Sequence, residues 1–360
     1  MAAKKISWFE KLTKIDGAVD RDFDPYENTL NWSSPGLNST FGNSWGIPRG
    51  YGAVLFGPPK AGKTLLLNDL TSCIHRSDPE GVVIKIDTEF REEGQLTRDH
   101  MRRLGIDPTR YICYQGNSPS FVFDKIEKDI AELCEEGMPL RALYIDSLNG
   151  IWGRRMENAE SVDKQQIGDE AATLQAGLKR ILAVQRKYRF AVIATSQVRA
   201  ELDPLEVKRG NKYRQATAFA TKHWAEFFLF VERFANKEGR VDALGNAFVG
   251  EREDAVGNAE LTGHKIRVTM NDSSLSPKGR QAIFTVDYRK GIINTHEEVF
   301  ELGKNRGVID MSGHIYSFRD NKWNGKNDTL MALQSSPDIC AQIVEECRKQ
   351  DRNKEEIEAP

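Results

Sequence analysis

The stretch Gly57-Pro58-Pro59-Lys60-Ala61-Gly62-Lys63-Thr64 constrains this chain more than any other. It follows the apolar run Ala53-Val54-Leu55-Phe56 and precedes Leu65-Leu66-Leu67-Asn68-Asp69-Leu70. Strand, G-x-x-x-x-G-K-T loop, helix is the setting in which this motif marks a phosphate-binding loop rather than a glycine-rich turn with a chance lysine. Its glycines let backbone N–H groups close around phosphate oxygens, and the following helix turns its positive end toward them. The pattern assigns Gly57, Pro58, Pro59, Lys60, Ala61, Gly62, Lys63, Thr64 and Leu65 to a nucleoside triphosphate. Lys63 supplies a charge at the β- and γ-phosphates, and the Thr64 hydroxyl ligates Mg²⁺. The expected fold class is α/β, with a mostly parallel central sheet.

A chain of 360 residues has room for one large α/β domain and a smaller one. Hydrophobic residues at 39% and charged residues at 29% describe a soluble globular protein. A formal charge of −2 argues against a uniformly basic nucleic-acid binder but leaves room for basic loops. Five cysteines (Cys73, Cys113, Cys134, Cys340, Cys347) form no C-x-x-C pair, which suits free thiols in a reducing compartment. No apolar stretch is long enough to span a membrane, and Met1 to Phe9 leads into no apolar region of a secretory signal. The expectation is a cytoplasmic protein with no membrane partner.

Past the phosphate loop, Gly81-Val82-Val83-Ile84-Lys85-Ile86-Asp87 reads as a buried strand ending in Asp87-Thr88-Glu89. Acids at the carboxyl end of a parallel strand point into the crevice where α/β sheets bind ligands. Glu89 is thereby a candidate to activate a water against the γ-phosphate. Arg141-Ala142-Leu143-Tyr144-Ile145-Asp146-Ser147 is a second apolar run ending in an acid, and Asp146 is the candidate to hold Mg²⁺ through its water shell. Phe190 to Gln197 is a third such strand, with polar Thr195, Ser196 and Gln197 at its end.

Two stretches read as loops beside that edge. Residues 153–169 carry Arg154, Arg155 and Lys164. Residues 198–219 lack periodicity and carry Arg199, Lys208, Arg209, Lys212 and Arg214 around Tyr213. Such a loop suits a phosphate backbone, with Tyr213 stacking on a base. Glu201, Asp203 and Glu206 dilute the charge, and a solvated surface loop is the competing reading.

At the amino end, Trp8, Phe9 and Leu12 share a helical face that a short helix cannot bury within itself, and docking on its own domain or on a neighbouring subunit fits equally. Gly17 to Trp45 is rich in Asp, Asn, Ser, Gly and Pro and reads as a linker or irregular approach. The expected division is an oligomerisation helix and linker at 1–30, an ATPase core at 31–294, a small α/β module at 295–350 and a flexible tail at 351–360.

Taken together, GPPKAGKT, Asp87-Thr88-Glu89, Leu143 to Ser147 and Ser196-Gln197-Val198-Arg199 resemble the RecA family of recombinases. Leu302-Gly303, Gly307-Val308-Ile309, Gly313 to Phe318 and Lys322-Trp323-Asn324-Gly325-Lys326 look like that family's carboxyl-terminal domain. The resemblance implies an ATP- and Mg²⁺-dependent protein that forms a homo-oligomeric filament on single-stranded DNA and exchanges strands with double-stranded DNA. It implies a DNA-dependent ATPase in which Glu89 is the general base, Gln197 senses the γ-phosphate, and the loops at 153–169 and 198–219 line the DNA. His100 falls near the position of the family's adenine-stacking aromatic. A departure is the stretch Val268 to Ser273, which lacks the two lysines that in this family reach a neighbour's ATP; Lys265, Lys278 or Arg280 are the candidate substitutes. The second loop also lacks the family's Gly- and Thr-rich portion, which points to a phage-encoded or diverged member. The rival readings are a hexameric helicase of the same fold and a non-catalytic, ATP-gated mediator.

Overall fold

The computed structural model describes residues 24, 27–157, 168–208, 213–234, 240–241 and 262–358. The expected amino-terminal helix, and Lys164, Arg209 and Lys212 of the two basic loops, lie outside the described residues.

The apolar runs become six parallel strands, the inner ones buried on both faces and the edge strand Tyr111–Gln115 half-exposed. These are β1 (Gly52–Phe56), β2 (Val82–Asp87), β3 (Tyr111–Gln115), β4 (Leu140–Asp146), β5 (Ala191–Ser196) and β6 (Phe227–Arg233). All six run parallel, in the spatial order β6-β1-β5-β4-β2-β3. Beyond β6 the sheet continues antiparallel through β7 (Gly263–Ser273), β8 (Gln281–Asp287) and β9 (Gly291–Ile293), and Arg240–Val241 pairs with β7. The expected mostly parallel α/β core is the observed one.

Alternate side chains of each strand enter one of two cores. On one face, Leu55, Tyr144, Ile193 and Val268 pack against Leu66, Leu67 and Leu70 of α1 (Lys63–Ser77). On the other, Val54, Ile84, Ile145 and Val192 meet Val122 and Ile126 of the helical segment Ser120–Ile130 and Leu178 and Ile181 of a second long helix, Asp169–Tyr188. Between two such layers the free space lies at the carboxyl ends of the parallel strands, where Phe56, Asp87, Asp146 and Ser196 end their strands.

The described part of the stretch read as a linker or irregular approach is a packed layer. Trp32, Leu37, Phe41 and Trp45 are all buried, and Trp32 stacks on Phe41. Ser34 caps the short helix Pro35–Ser39 by accepting the Leu37 N–H, with proline in its first turn. The polar composition that reads as a linker is therefore cap and turn chemistry around four large apolar anchors.

The last part of the chain gathers around its own core of Val299, Phe300, Ile309, Phe318, Leu333, Ile343 and Cys347, which also takes in Trp45. It comprises Thr295–Asn305, the antiparallel strands Asp310–Ser312, Ile315–Phe318 and Asn321–Asn324, and the helices Gly325–Ser335 and Pro337–Glu358. Helix continues through Glu358 where a flexible tail is expected at 351–360. The physical reason is Asp351. Its buried carboxylate accepts the Trp45 indole N–H at 2.9 Å, pairs with Arg306, and lies 3.8 Å from Arg280.

A second acid ties this unit to the core. Glu298 accepts the Ser34 hydroxyl and, at 3.1 Å, the Gly36 N–H. Its Oε1 is buried with no hydrogen-bond partner among the described residues, and burial pushes its carboxyl up to about 8.

Candidate nucleotide site

The phosphate loop leaves β1 at Gly57, whose N–H donates to the Ser196 carbonyl at 3.3 Å. A side chain at Gly57 would overlap the Val231 carbonyl, so the close approach of β6 requires glycine there. Gly62, at φ 107°, turns the chain into α1, and the helix starts with no side-chain cap. Its first N–H groups are left for an anion. The Lys63 ammonium donates to the Gly57 and Pro58 carbonyls, both at 2.9 Å. Burial lowers its pKa, while Asp146 and Glu89 pull it back up.

The ends of β4 and β5 supply the next contacts. Asp146 accepts the Thr64 hydroxyl at 3.1 Å and the Thr195 hydroxyl at 2.5 Å. Its Oδ2 also lies 3.1 Å from the ammonium of Lys85, a buried lysine in the middle of β2. Thr64 and Asp146 offer hard oxygen donors side by side, which is the chemistry Mg²⁺ takes. These residues fit that ion.

Glu89 sits on the turn after β2. Its carboxylate accepts the Ser147 hydroxyl at 2.7 Å and the Gln197 amide at 3.3 Å, and pairs with Arg91 at 2.9 Å. Asp87 does a different job. It accepts the N–H groups of Glu89, Arg91 and Glu92 and the Gln115 amide, all within 3.2 Å. Burial works to raise its pKa, but these donors outweigh it and hold the carboxyl below its ordinary value. Asp87 thus caps the turn that aims Glu89. The Thr88 hydroxyl donates to the Ser147 carbonyl and accepts its N–H, at 2.6 and 2.9 Å, which locks the ends of β2 and β4 together.

One cleft of about 400 Å³ is lined by Pro59 through Leu65 together with Glu89, Asp146 and Gln197. The residues expected from three separate strand ends and the loop therefore face a common volume. Arg91, Ser147, Thr195, Arg233, His264 and Tyr288 share that lining. The Arg233 guanidinium donates to the Lys60 carbonyl at 2.8 Å, and His264 bonds the Tyr288 hydroxyl at 3.1 Å. Burial, reinforced by Arg233, lowers the His264 pKa to about 4, against an opposing bond to Ala61. Of the six, only Thr195 stood out in the sequence, as a polar end to an apolar strand. His100 lies on Arg98–Leu104 and is not among the residues lining this cleft. A larger cavity of about 550 Å³ mixes Glu201, Glu226 and Asp272 with Arg214 and Lys222. It has no phosphate loop, so the chemistry belongs to the smaller cleft.

The basic stretches flank the same edge of the sheet. Arg154 and Arg155 are exposed on the short helix Arg154–Glu157. The stretch expected to lack structure contains a hairpin, in which Val198–Ala200 pairs antiparallel with Tyr213–Gln215. Arg199 and Arg214 stand directly opposite each other in it, both exposed. Like charges across a strand pair are destabilising unless an anion answers them. Tyr213 lies next in register and reaches toward Phe230, with ring centroids 6.3 Å apart and 46% of the residue exposed. Lys208 ends the short helix Pro204–Lys208 between the two strands.

Among the described residues no helix is long and apolar enough to cross a membrane. No family model matches the chain. The chain is 24% identical over 331 residues to Protein RecA of Nitratiruptor sp., covering 92% of this chain and 86% of that one. It is 24% identical over 324 residues to Protein RecA of Acidiphilium cryptum, covering 90% and 84%. With Protein RecA of Nitratidesulfovibrio vulgaris (strain Miyazaki F) the identity is 25% over 289 residues, covering 80% and 71%. The chain is thus similar to RecA proteins at a distance, over most of its length and with a sheet and phosphate loop of this kind.

Proposed function

We propose that the chain is a DNA-dependent ATPase that assembles head to tail on single-stranded DNA and promotes homologous pairing and strand exchange. The observation that carries this reading is the 3.3 Å contact between Gln197 and Glu89. Gln197 immediately precedes the basic hairpin, and Glu89 faces the phosphate cleft, so one hydrogen bond joins the candidate DNA element to the candidate base. The low identity to the RecA relatives suits a phage-encoded or otherwise diverged member.

In this reading Lys63 and the first N–H groups of α1 hold the ATP phosphates, and Thr64 and Asp146 hold Mg²⁺. The ion supplies charge neutralisation at the β- and γ-phosphates. Glu89 takes a proton from the attacking water, and Ser147 and Arg91 keep its carboxylate in place. Gln197 exchanges its bond to Glu89 for the γ-phosphate, which moves the hairpin that bears Arg199 and Arg214. Lys208, Arg154 and Arg155, with Lys164, Arg209 and Lys212, complete the surface for the DNA backbone, and Tyr213 stacks on a base. His100 and Tyr288 are the candidates to meet the adenine. Lys265, Lys278 and Arg280 are the candidates to act on a neighbour's nucleotide; Lys278 pairs with Asp272 at 2.6 Å and Arg280 donates to the Ser39 carbonyl at 3.0 Å. Head-to-tail contacts that do not close give open filaments.

Electron microscopy with single-stranded DNA and a slowly hydrolysed ATP analogue tests this reading. Nucleotide-dependent helical filaments are expected. Closed rings would favour the helicase, and unassembled particles on DNA the mediator.

A further inference from the structure

Lys85 breaks the apolar pattern of β2, and nothing in the proposed hydrolysis step uses it. Its residue is 2% exposed. Its ammonium lies 2.9 Å from Glu92 Oε2 and 3.1 Å from Asp146 Oδ2. Glu92 accepts the Tyr111 hydroxyl at 2.7 Å on its other oxygen and donates its N–H to Asp87 at 2.8 Å. The ammonium thus forms a buried bridge from the turn that carries Glu89 to the acid that pairs with Thr64. A buried cation without partners would be strongly disfavoured, and two acids in contact make its presence here stable. The pairing is also unequal. Glu92 belongs to the interior, while Asp146 belongs to the cleft.

We propose that Lys85 is a positioning residue that tunes the divalent-cation affinity of the nucleotide site by occupying Asp146 Oδ2 with a fixed buried charge. A cation fixed in a buried site beside Asp146 opposes a dication approaching the same carboxylate, and salt screens so buried a pair very little. Glu92 offsets that opposition from behind. The site then binds Mg²⁺ well only when ATP phosphates contribute their own charge, which makes the ion arrive with the nucleotide rather than before it. This inference rests on the nucleotide-site reading above.

The test measures a fluorescent, slowly hydrolysed ATP analogue binding to the full chain with Mn²⁺ and again with excess chelator. The ratio of the two affinities is the metal coupling, and a general loss of nucleotide binding cancels in it. Lys85→Met should raise the coupling about tenfold, since one opposing charge is removed. If that variant does not fold, because it leaves Glu92 buried without its cation, Lys85→Met/Glu92→Gln removes both charges and should raise the coupling severalfold. Glu92→Gln alone should lower it, because Lys85 then acts on Asp146 without its offset. Opposite signs in these variants are the signature of a charge effect. An unchanged coupling, or a decrease in both, would overturn the proposal. A wild-type protein that binds the analogue in neither condition would overturn the nucleotide site itself.

Discussion

Gln197 and Glu89 are 108 residues apart in sequence, yet the Gln197 amide donates to the Glu89 carboxylate at 3.3 Å. Parallel pairing makes this contact. β5 and β2 flank β4 on either side, so their carboxyl ends open on one crevice. Ser147, at the end of β4 between them, donates to the same Glu89 oxygen.

Glu89→Gln should slow ATP hydrolysis by about a hundredfold or more, the scale of a missing general base, while nucleotide binding persists. Steady-state phosphate release against analogue affinity checks this. Turnover at the wild-type rate would remove Glu89 from the role, and Asp87, with its carboxylate engaged by three N–H groups, is poorly placed to inherit it. Gln197→Ala should keep basal hydrolysis and lose its stimulation by DNA.

The facing arginines of the hairpin make a quantitative case. Removing one phosphate-binding cation should flatten the dependence of log affinity on log salt by about 0.7 for single strands. Arg199→Ala/Arg214→Ala should therefore weaken single-stranded DNA binding and reduce the slope by about 1.4, with analogue binding intact. Tyr213→Ala should cost roughly 1–3 kcal/mol at constant slope if a base stacks there. A salt titration by fluorescence anisotropy separates the two. Unchanged affinity and slope would make the hairpin an ordinary surface.

Glu298 makes stability fall with pH. Its carboxyl is pushed from 4.5 to about 8 by burial, so between those values the folded protein keeps a proton that the unfolded chain has released. The folded state is favoured below the window and loses that advantage as pH rises through it, by an amount on the order of a few kcal/mol. Glu298→Gln, which keeps the bonds from Ser34 and Gly36 without a titrating group, should flatten the denaturant stability profile between pH 5 and about 8. A wild-type profile without this decline would refute the assignment.

Asp351→Ala should destabilise the protein by about 3–5 kcal/mol, because the buried Trp45 indole and the Arg306 guanidinium both lose an acceptor. Urea unfolding measures the loss. An effect within about 0.5 kcal/mol would place Asp351 with ordinary surface residues instead.

Much of this molecule is legible in its residue order. The phosphate loop announces itself because the geometry of phosphate binding tolerates few residue types. The parallel core is legible because strands buried on both faces must be almost wholly apolar, and the acids that end them at Asp87 and Asp146 then stand out. Glu89, Asp146 and Gln197 follow from that punctuation, and the structure brings all three to one cleft. The packed layer around Trp32 and Phe41 was hidden by its polar neighbours, because cap residues and linker residues share a composition. The helix through Asp351 was hidden because charge at a chain end reads as solvation, and only its partners from Trp45 and Arg306 bury it.

The rest was decided by which strands become neighbours. Arg233, His264 and Tyr288 line the phosphate cleft because β6 and the antiparallel strands beyond it close over the loop, a consequence of strand order that no local pattern encodes. Lys85 shows the division most clearly. A lysine inside an apolar strand is visible to any reader of the sequence, and the need for a buried charge partner follows from desolvation alone. Its partnership with Asp146 comes from a different strand, and it exists because β2 pairs with β4 in a register that sets Lys85 beside Tyr144 and brings the end of β4 within reach. Local chemistry determined that a partner was required, and long-range packing chose which acid it would be.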